Sequence, residues 1–139
     1  MTTLVMRNDV AELRRMSVWL AAGCAASGMS KDVIQRMDLC ANEALANIIS
    51  YAYEEPGRHD ITLELSARKN GVRLIIRDDG RPFDPVAAPE HHQPASLAEA
   101  EIGGLGLHLI RKLLSGCEYR REQNCNVLVL DAHTETPPK

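Results

Sequence analysis

The sequence predicts an α+β fold, with helices layered on one face of a largely antiparallel sheet. Three observations carry this. Apolar residues recur at helical spacing in two early segments, from Val10 to Cys24 and from Val33 to Ile48. Two segments that alternate apolar and polar residues follow as one pair across the turn Lys69-Asn70-Gly71, and Glu118–Glu122 with Asn126–Asp131 look like a second pair. A long stretch without periodicity, residues 84–102, separates the two pairs, and a compact domain keeps such a loop only for a purpose.

Residues 2–6 read as a short leading strand. Asp9 followed by Glu12 has the form of a capping box opening the first helix, on which Val10, Leu13, Met16 or Ser17, Leu20 and Cys24 make the apolar face. Gly28 ends that helix. Ser30 caps a second one running to about Tyr53, with Val33, Met37, Cys40 and Ala41, Ala44 and Ile48 as its stripe, before Pro56-Gly57 breaks it. Ile61, Leu63 and Leu65 then alternate with Thr62, Glu64 and Ser66. After the turn Lys69-Asn70-Gly71, Val72, Leu74 and Ile76 alternate with Arg73, Ile75 and Arg77, so the two segments form a hairpin. Pro85, Pro89 and Pro94 punctuate the long loop. A helix is expected from about Gly104 to Leu114, a second hairpin from Glu118–Glu122 and Asn126–Asp131, and a frayed tail over residues 133–139.

A length of 139 residues suits one domain, 1–139, large enough to bury its own core. A net charge of −3 speaks against nucleic acid as the main partner, since nucleic-acid binders carry a basic face. The longest mainly apolar run, Val18 to Ala26, is far short of the roughly 20 residues that cross a bilayer. Charged residues from Arg7 to Arg15 interrupt any signal-peptide pattern. Cys24, Cys40, Cys117 and Cys125 form no CxxC pair, and three of them sit in helical or strand patterns among apolar neighbours, which points to small core-filling side chains in a reducing, cytoplasmic setting. His91-His92 has no partner at ligand spacing and reads as a solvated loop.

Three short segments carry chemistry. Glu43 and Asn47 lie four apart, on one side of the second helix and at the edge of its apolar stripe. A carboxamide oxygen there suits Mg²⁺, and a partly desolvated carboxylate can accept a proton; the pair can equally be an exposed polar couple. Asp78 ends an apolar strand and enters the turn Asp79-Gly80, where it can accept a hydrogen bond from an exocyclic amine such as that of adenine; strand-ending Asp-Gly turns are also common. Pro82 and Phe83, the only Phe in the chain, follow as a pocket wall or as packing. Gly103, Gly104 and Gly106 stand at a helix start, where backbone N–H groups and the helix dipole favour phosphate. The segment is neither a GxxxxGK[ST] loop nor a GxGxxG fingerprint, because Leu109 holds the last glycine's place.

The set Glu43-x-x-x-Asn47, Asp78-x-Gly80-x-Pro82-Phe83-Asp84 and Gly103-Gly104-Leu105-Gly106-Leu107 resembles the N, G1 and G2 boxes of the GHKL (Bergerat-fold) ATPases. Within that superfamily the chain most resembles the bacterial anti-sigma factor serine/threonine kinases, over roughly residues 8–131. The resemblance implies a two-layer sandwich of helices on a mixed, largely antiparallel sheet. It further implies ATP and Mg²⁺ as cofactors, with Glu43 as catalytic base, Asn47 as Mg²⁺ ligand and Asp78 as adenine reader beside Gly80 and Phe83. Gly103, Gly104, Leu105, Gly106 and Leu107 would face the phosphates, and residues 85–102 would form a lid. The implied partners are a STAS-domain antagonist phosphorylated on serine, a sigma factor or other regulator, and a second copy of the chain, with no nucleic acid and no membrane. A nucleotide-gated binding module without kinase activity and a plain ATPase are the alternatives; Glu43 favours an enzyme. Histidine kinases share the boxes, but neither of the first two helices here contains a His. Where some members carry an Arg before the glycine run, this chain has Glu101-Ile102.

Overall fold

The computed structural model describes residues 1–54, 57–85 and 110–134. The chain enters as strand β1, Thr2–Arg7, and passes through a short 3-10 turn, Val10–Glu12, into helices α1, Leu13–Ala26, and α2, Lys31–Tyr51. Strands β2, Asp60–Arg68, and β3, Gly71–Asp78, form the first hairpin; β4, Gly116–Glu122, and β5, Cys125–His133, form the second. The strand order is β1-β2-β3-β5-β4. All four neighbouring pairs are antiparallel, so the mixed character expected of the sheet does not reach the described strands. The last strand inserts between β3 and β4, which puts the two hairpins side by side with β5 next to β3.

Each element follows from local chemistry. Asp9 caps the 3-10 turn through the N–H of Ala11, 2.9 Å away. Glu12 does not close a capping box with Asp9. It accepts instead from the Arg7 N–H at 3.4 Å and pairs with Arg15 at 2.8 Å, while Arg15 donates to the Val5 carbonyl at 2.7 Å. Two side chains thus occupy backbone groups along the outer edge of β1, an edge that would otherwise invite another strand. Gly28, at φ 82°, ends α1 in a Schellman motif: Met29 N–H reaches the Cys24 carbonyl and Gly28 N–H that of Ala25, both at 3.0 Å. Ser30 caps α2 through the Val33 N–H at 3.3 Å, and the helix stops at Tyr51, just short of the boundary expected near Tyr53. The second hairpin turns on Gln123 and Asn124 at φ 49° and 65°, the paired positive values of a type I′ turn.

The core lies between the helices and one face of the sheet. Ile61, Leu63 and Leu65 from β2, Val72, Leu74 and Ile76 from β3, and Leu128, Leu130 and Ala132 from β5 meet Met16, Leu20 and Cys24 of α1 and Val33, Met37, Ala41, Ala44 and Ile48 of α2. Burial lifts the thiols of Cys24 and Cys40 to about 11 and about 12, so both remain protonated packing groups at neutral pH. No helix among the described residues is long and apolar enough to cross a membrane.

Candidate functional site

At the end of the sheet where β3 stops, the core-facing row changes from apolar to polar. Asp78 continues the row of Leu74 and Ile76, and Asn126 continues that of Leu130 and Leu128; the two are register partners. They are 1% and 2% exposed, so neither is an ordinary surface polar residue. Asn126 Nδ2 donates to Asp78 Oδ1 at 2.9 Å and to the Arg81 carbonyl at 2.8 Å. Its Oδ1 accepts from Tyr119 Oη at 2.6 Å, Arg121 Nη1 at 3.1 Å and the Phe83 N–H at 3.2 Å. Gly80 N–H is the second donor to Asp78 Oδ1, at 2.9 Å. Asp78 Oδ2 makes no hydrogen bond to any described residue.

Burial lifts the Asp78 carboxyl above its ordinary value, while the hydrogen bonds from Asn126 and Gly80 pull it back; the Asp79 charge adds to the rise and Arg121 opposes it. The result is a buried acid with one oxygen held by two donors and the other without a hydrogen bond to any described residue.

Gly80 is required by closeness rather than by conformation. A Cβ on it would stand 2.5 Å from the Ala52 carbonyl oxygen and 2.8 Å from Ala52 Cβ. The same carbonyl, at the end of α2, accepts from the Arg81 N–H at 2.8 Å. Arg81 Nε also donates to the Tyr51 carbonyl at 2.8 Å. The Asp78–Arg81 turn is therefore clamped onto the C-terminus of α2, which fixes how the helix lies against the carboxylate. Counting back from Ala52 at about 1.5 Å per residue, Asn47 lies roughly 7.5 Å and Glu43 roughly 13.5 Å along the helix axis.

Asn47 is 5% exposed, and its carboxamide makes no hydrogen bond to any described residue. An exposed polar couple is therefore the wrong description of it. Glu43 is half-buried one turn earlier. A carboxamide oxygen at the edge of a buried stripe and a half-buried carboxylate one turn away are of the types that suit a bound cation at Asn47 and a proton acceptor at Glu43.

Phe83 packs, its ring 5.9 Å from that of Tyr51 and set against the core cluster, while its N–H helps to hold Asn126. Tyr53 stacks on His59 at 4.7 Å, and His59 pairs with Asp79 at 3.3 Å. The Tyr53 hydroxyl is buried without a hydrogen-bond partner, and burial together with the Asp78 charge raises its pKa. A cavity of about 470 Å³ reaches Asp78 from the side of Thr62 and Arg77, the sheet face turned away from the helices, and so does not join Asp78 to α2. Gly103, Gly104, Leu105, Gly106 and Leu107, the expected lid beyond Pro85, and tail residues 135–139 lie outside the described residues. Residues 110–113 are helical, consistent with the expected end of the helix that follows the glycine turn.

The reading of the sequence missed Asn126, Tyr119 and Arg121. One signal was available for Asn126: it shares strand parity with Leu128 and Leu130, which places a carboxamide on a buried face. Nothing local marks Arg121 or Tyr119.

Residues 6–131 match the family described as the histidine kinase-like ATPase domain. The chain is 37% identical over 98 residues to the serine/threonine-protein kinase BtrW of Bordetella bronchiseptica, an alignment covering 70% of this chain and 69% of that protein. It is 24% identical over 106 residues to the serine-protein kinase RsbW of Bacillus velezensis, covering 73% of this chain and 65% of that one, just under two thirds of its length. Among solved structures, the histidine kinase domain of a blue-light activated histidine kinase from Erythrobacter litoralis superposes with a TM-score of 0.55 at 18% identity. That match covers 90% of this chain and 60% of that one, and it speaks to the fold alone.

Proposed function

The chain belongs to the histidine kinase-like ATPase domain family, and on that premise we propose that it is an ATP-dependent serine/threonine-protein kinase and anti-sigma-type regulator. Its substrate is a serine on a STAS-domain antagonist, within a cytoplasmic partner-switching system in which a homodimer also binds a sigma factor or other regulator. The relatives named as serine and serine/threonine kinases support the reaction class. The observation that carries the nucleotide assignment is Asp78, buried and bonded among the described residues through Oδ1, beside a glycine whose Cβ would strike Ala52 at the end of α2.

In this reading Asp78 Oδ2 accepts from the exocyclic amine of adenine, with Gly80 admitting the base and Phe83 backing the loop. Asn47 would hold Mg²⁺, which when bound supplies positive charge against the phosphate oxygens. Glu43 accepts the proton of the attacking serine hydroxyl. Gly103, Gly104, Leu105, Gly106 and Leu107 offer backbone N–H groups to the phosphates, and residues 85–102 close over them.

Incubating the purified chain with γ-labelled ATP and a STAS-domain protein encoded beside it tests the proposal. Label on a serine of that protein is expected. Tight ATP binding with no transfer would leave a nucleotide-gated binding module, and ATP hydrolysis with no transfer would leave an ATPase.

A further inference from the structure

The polar layer behind Asp78 holds a cation that the adenine contact does not itself require. One nitrogen of Arg121 on β4, Nη1, donates to the Gly80 carbonyl at 2.8 Å and to Asn126 Oδ1 at 3.1 Å. Gly80 and Asn126 are also the two residues whose N–H groups grip Asp78 Oδ1, each at 2.9 Å. The guanidinium thus stands directly behind the Asn126 donor, and it braces the Gly80–Arg81 peptide next to the other. A cation on an amide oxygen draws electron density from the amide nitrogen, so its N–H donates more strongly at the other end. Asn126 is placed to relay charge in this way, because its oxygen meets the guanidinium while its nitrogen meets the carboxylate.

We propose that Arg121 is a positioning residue that sets base selectivity: through Asn126 it keeps Asp78 an ionised, acceptor-only carboxylate, suited to adenine's amine. The inference rests on the reading of Asp78 as the adenine contact. An ionised carboxylate can only accept. A protonated one donates, and guanine presents a carbonyl acceptor where adenine has its amine.

Several groups face Asp78. Arg121 comes from β4, Asn126 from β5, Asp79 from the same turn and Tyr53 from the link after α2. Burial and Asp79 press the carboxyl toward protonation, and Arg121 is the cation opposing them. Removing it moves protonation of Asp78 to higher pH, so the loss of ATP binding is greatest on the acidic side. His59, paired with Asp79, is unchanged in every variant compared. Arg121 is an exposed residue, so solvent screens its charge and the effect is several-fold rather than hundredfold.

The test is calorimetric titration of ATP and GTP into the full chain and the variants R121Q, R121K and D78N, from about pH 5 to about pH 8. R121Q is expected to bind ATP about five- to tenfold more weakly at the acidic end, with GTP affected less, so that the ATP/GTP ratio narrows as pH falls. R121K should restore most of the wild-type pH profile. R121M takes the place of R121Q if the latter does not fold. A pH profile and an ATP/GTP ratio for R121Q equal to those of the wild type would overturn the inference. So would a uniform loss for both nucleotides at every pH that R121K does not rescue, since that marks a structural role only. D78N separates the two levels. Unchanged ATP affinity in folded D78N removes the adenine reading itself, whereas a loss in D78N with no selectivity change in R121Q removes only the role of Arg121.

Discussion

Asn126 Nδ2 lies 2.9 Å from Asp78 Oδ1, joining two side chains 48 residues apart that are both almost fully buried. The same Asn accepts three hydrogen bonds on its oxygen and donates a second from its nitrogen. Such a residue is the hub of its layer. Asn126→Ala should therefore cost about 2–4 kcal/mol of folding stability, because it leaves several buried groups without partners at once. Urea unfolding measures this; a loss below about 0.5 kcal/mol would show that water replaces Asn126 freely.

Asp78→Asn should separate binding from stability. ATP affinity is expected to fall by about 1.5–3 kcal/mol, as when a charged hydrogen-bond partner is replaced, with weaker discrimination against GTP. The free protein should respond in the opposite direction. The folded carboxyl is raised above its ordinary value of 3.8, so between the unfolded and folded values the folded state holds more protons. Stability from this group is then complete below the unfolded value and falls as pH rises through the folded one. At neutral pH the free wild-type protein carries the cost of a buried charge that Asn removes. Unfolding of the nucleotide-free pair at acidic and neutral pH should show the variant gaining on the wild type as pH rises. A constant difference across that range would mean that Asp78 is not destabilised in its charged form.

Gly80→Ala should fail sterically. Its Cβ would meet a backbone carbonyl at 2.5 Å, and backbone does not swing aside as a flexible side chain does. Separating the turn from α2 lengthens the Arg81–Ala52 hydrogen bond and costs about 1–3 kcal/mol. A lowered melting temperature together with weakened ATP binding is expected. Wild-type values for both would show that the turn has slack.

Glu43 and Asn47 should separate by role. Glu43→Ala should leave ATP bound while slowing phosphoryl transfer by about 10²–10⁴-fold. Asn47→Ala should weaken ATP binding in the presence of Mg²⁺ and change it little without the metal, since a cation ligand is what is lost. Transfer to the STAS partner at the wild-type rate by Glu43→Ala would place the base elsewhere.

The helices and both hairpins were legible in the chain because each rests on relations within a few residues. The stripe from Val33 to Ile48 proved wholly buried, Gly28 ended α1 and Ser30 began α2. Where a local signal misled, the cause was a neighbouring competitor: Glu12 turned from Asp9 to the edge of β1 because Arg7 and Arg15 met it there. The places of Glu43 and Asn47 on one side of α2 and of Asp78 at a strand end followed from spacing, since a helix repeats every 3.6 residues and a strand every two.

The sequence by itself determined the periodic elements, the position of the acidic turn and the side of α2 on which Glu43 and Asn47 stand. Only the tertiary structure decided which strand lies beside β3. The chain order β3, β4, β5 becomes the sheet order β3, β5, β4, and that exchange sets Asn126 against Asp78 and brings Arg121 behind it. Pairing between strands depends on the free energy of burying a whole face, summed over residues far apart in the chain. Local spacing therefore marks Asp78 as polar, and the fold alone makes it a buried acid with one oxygen held by two donors.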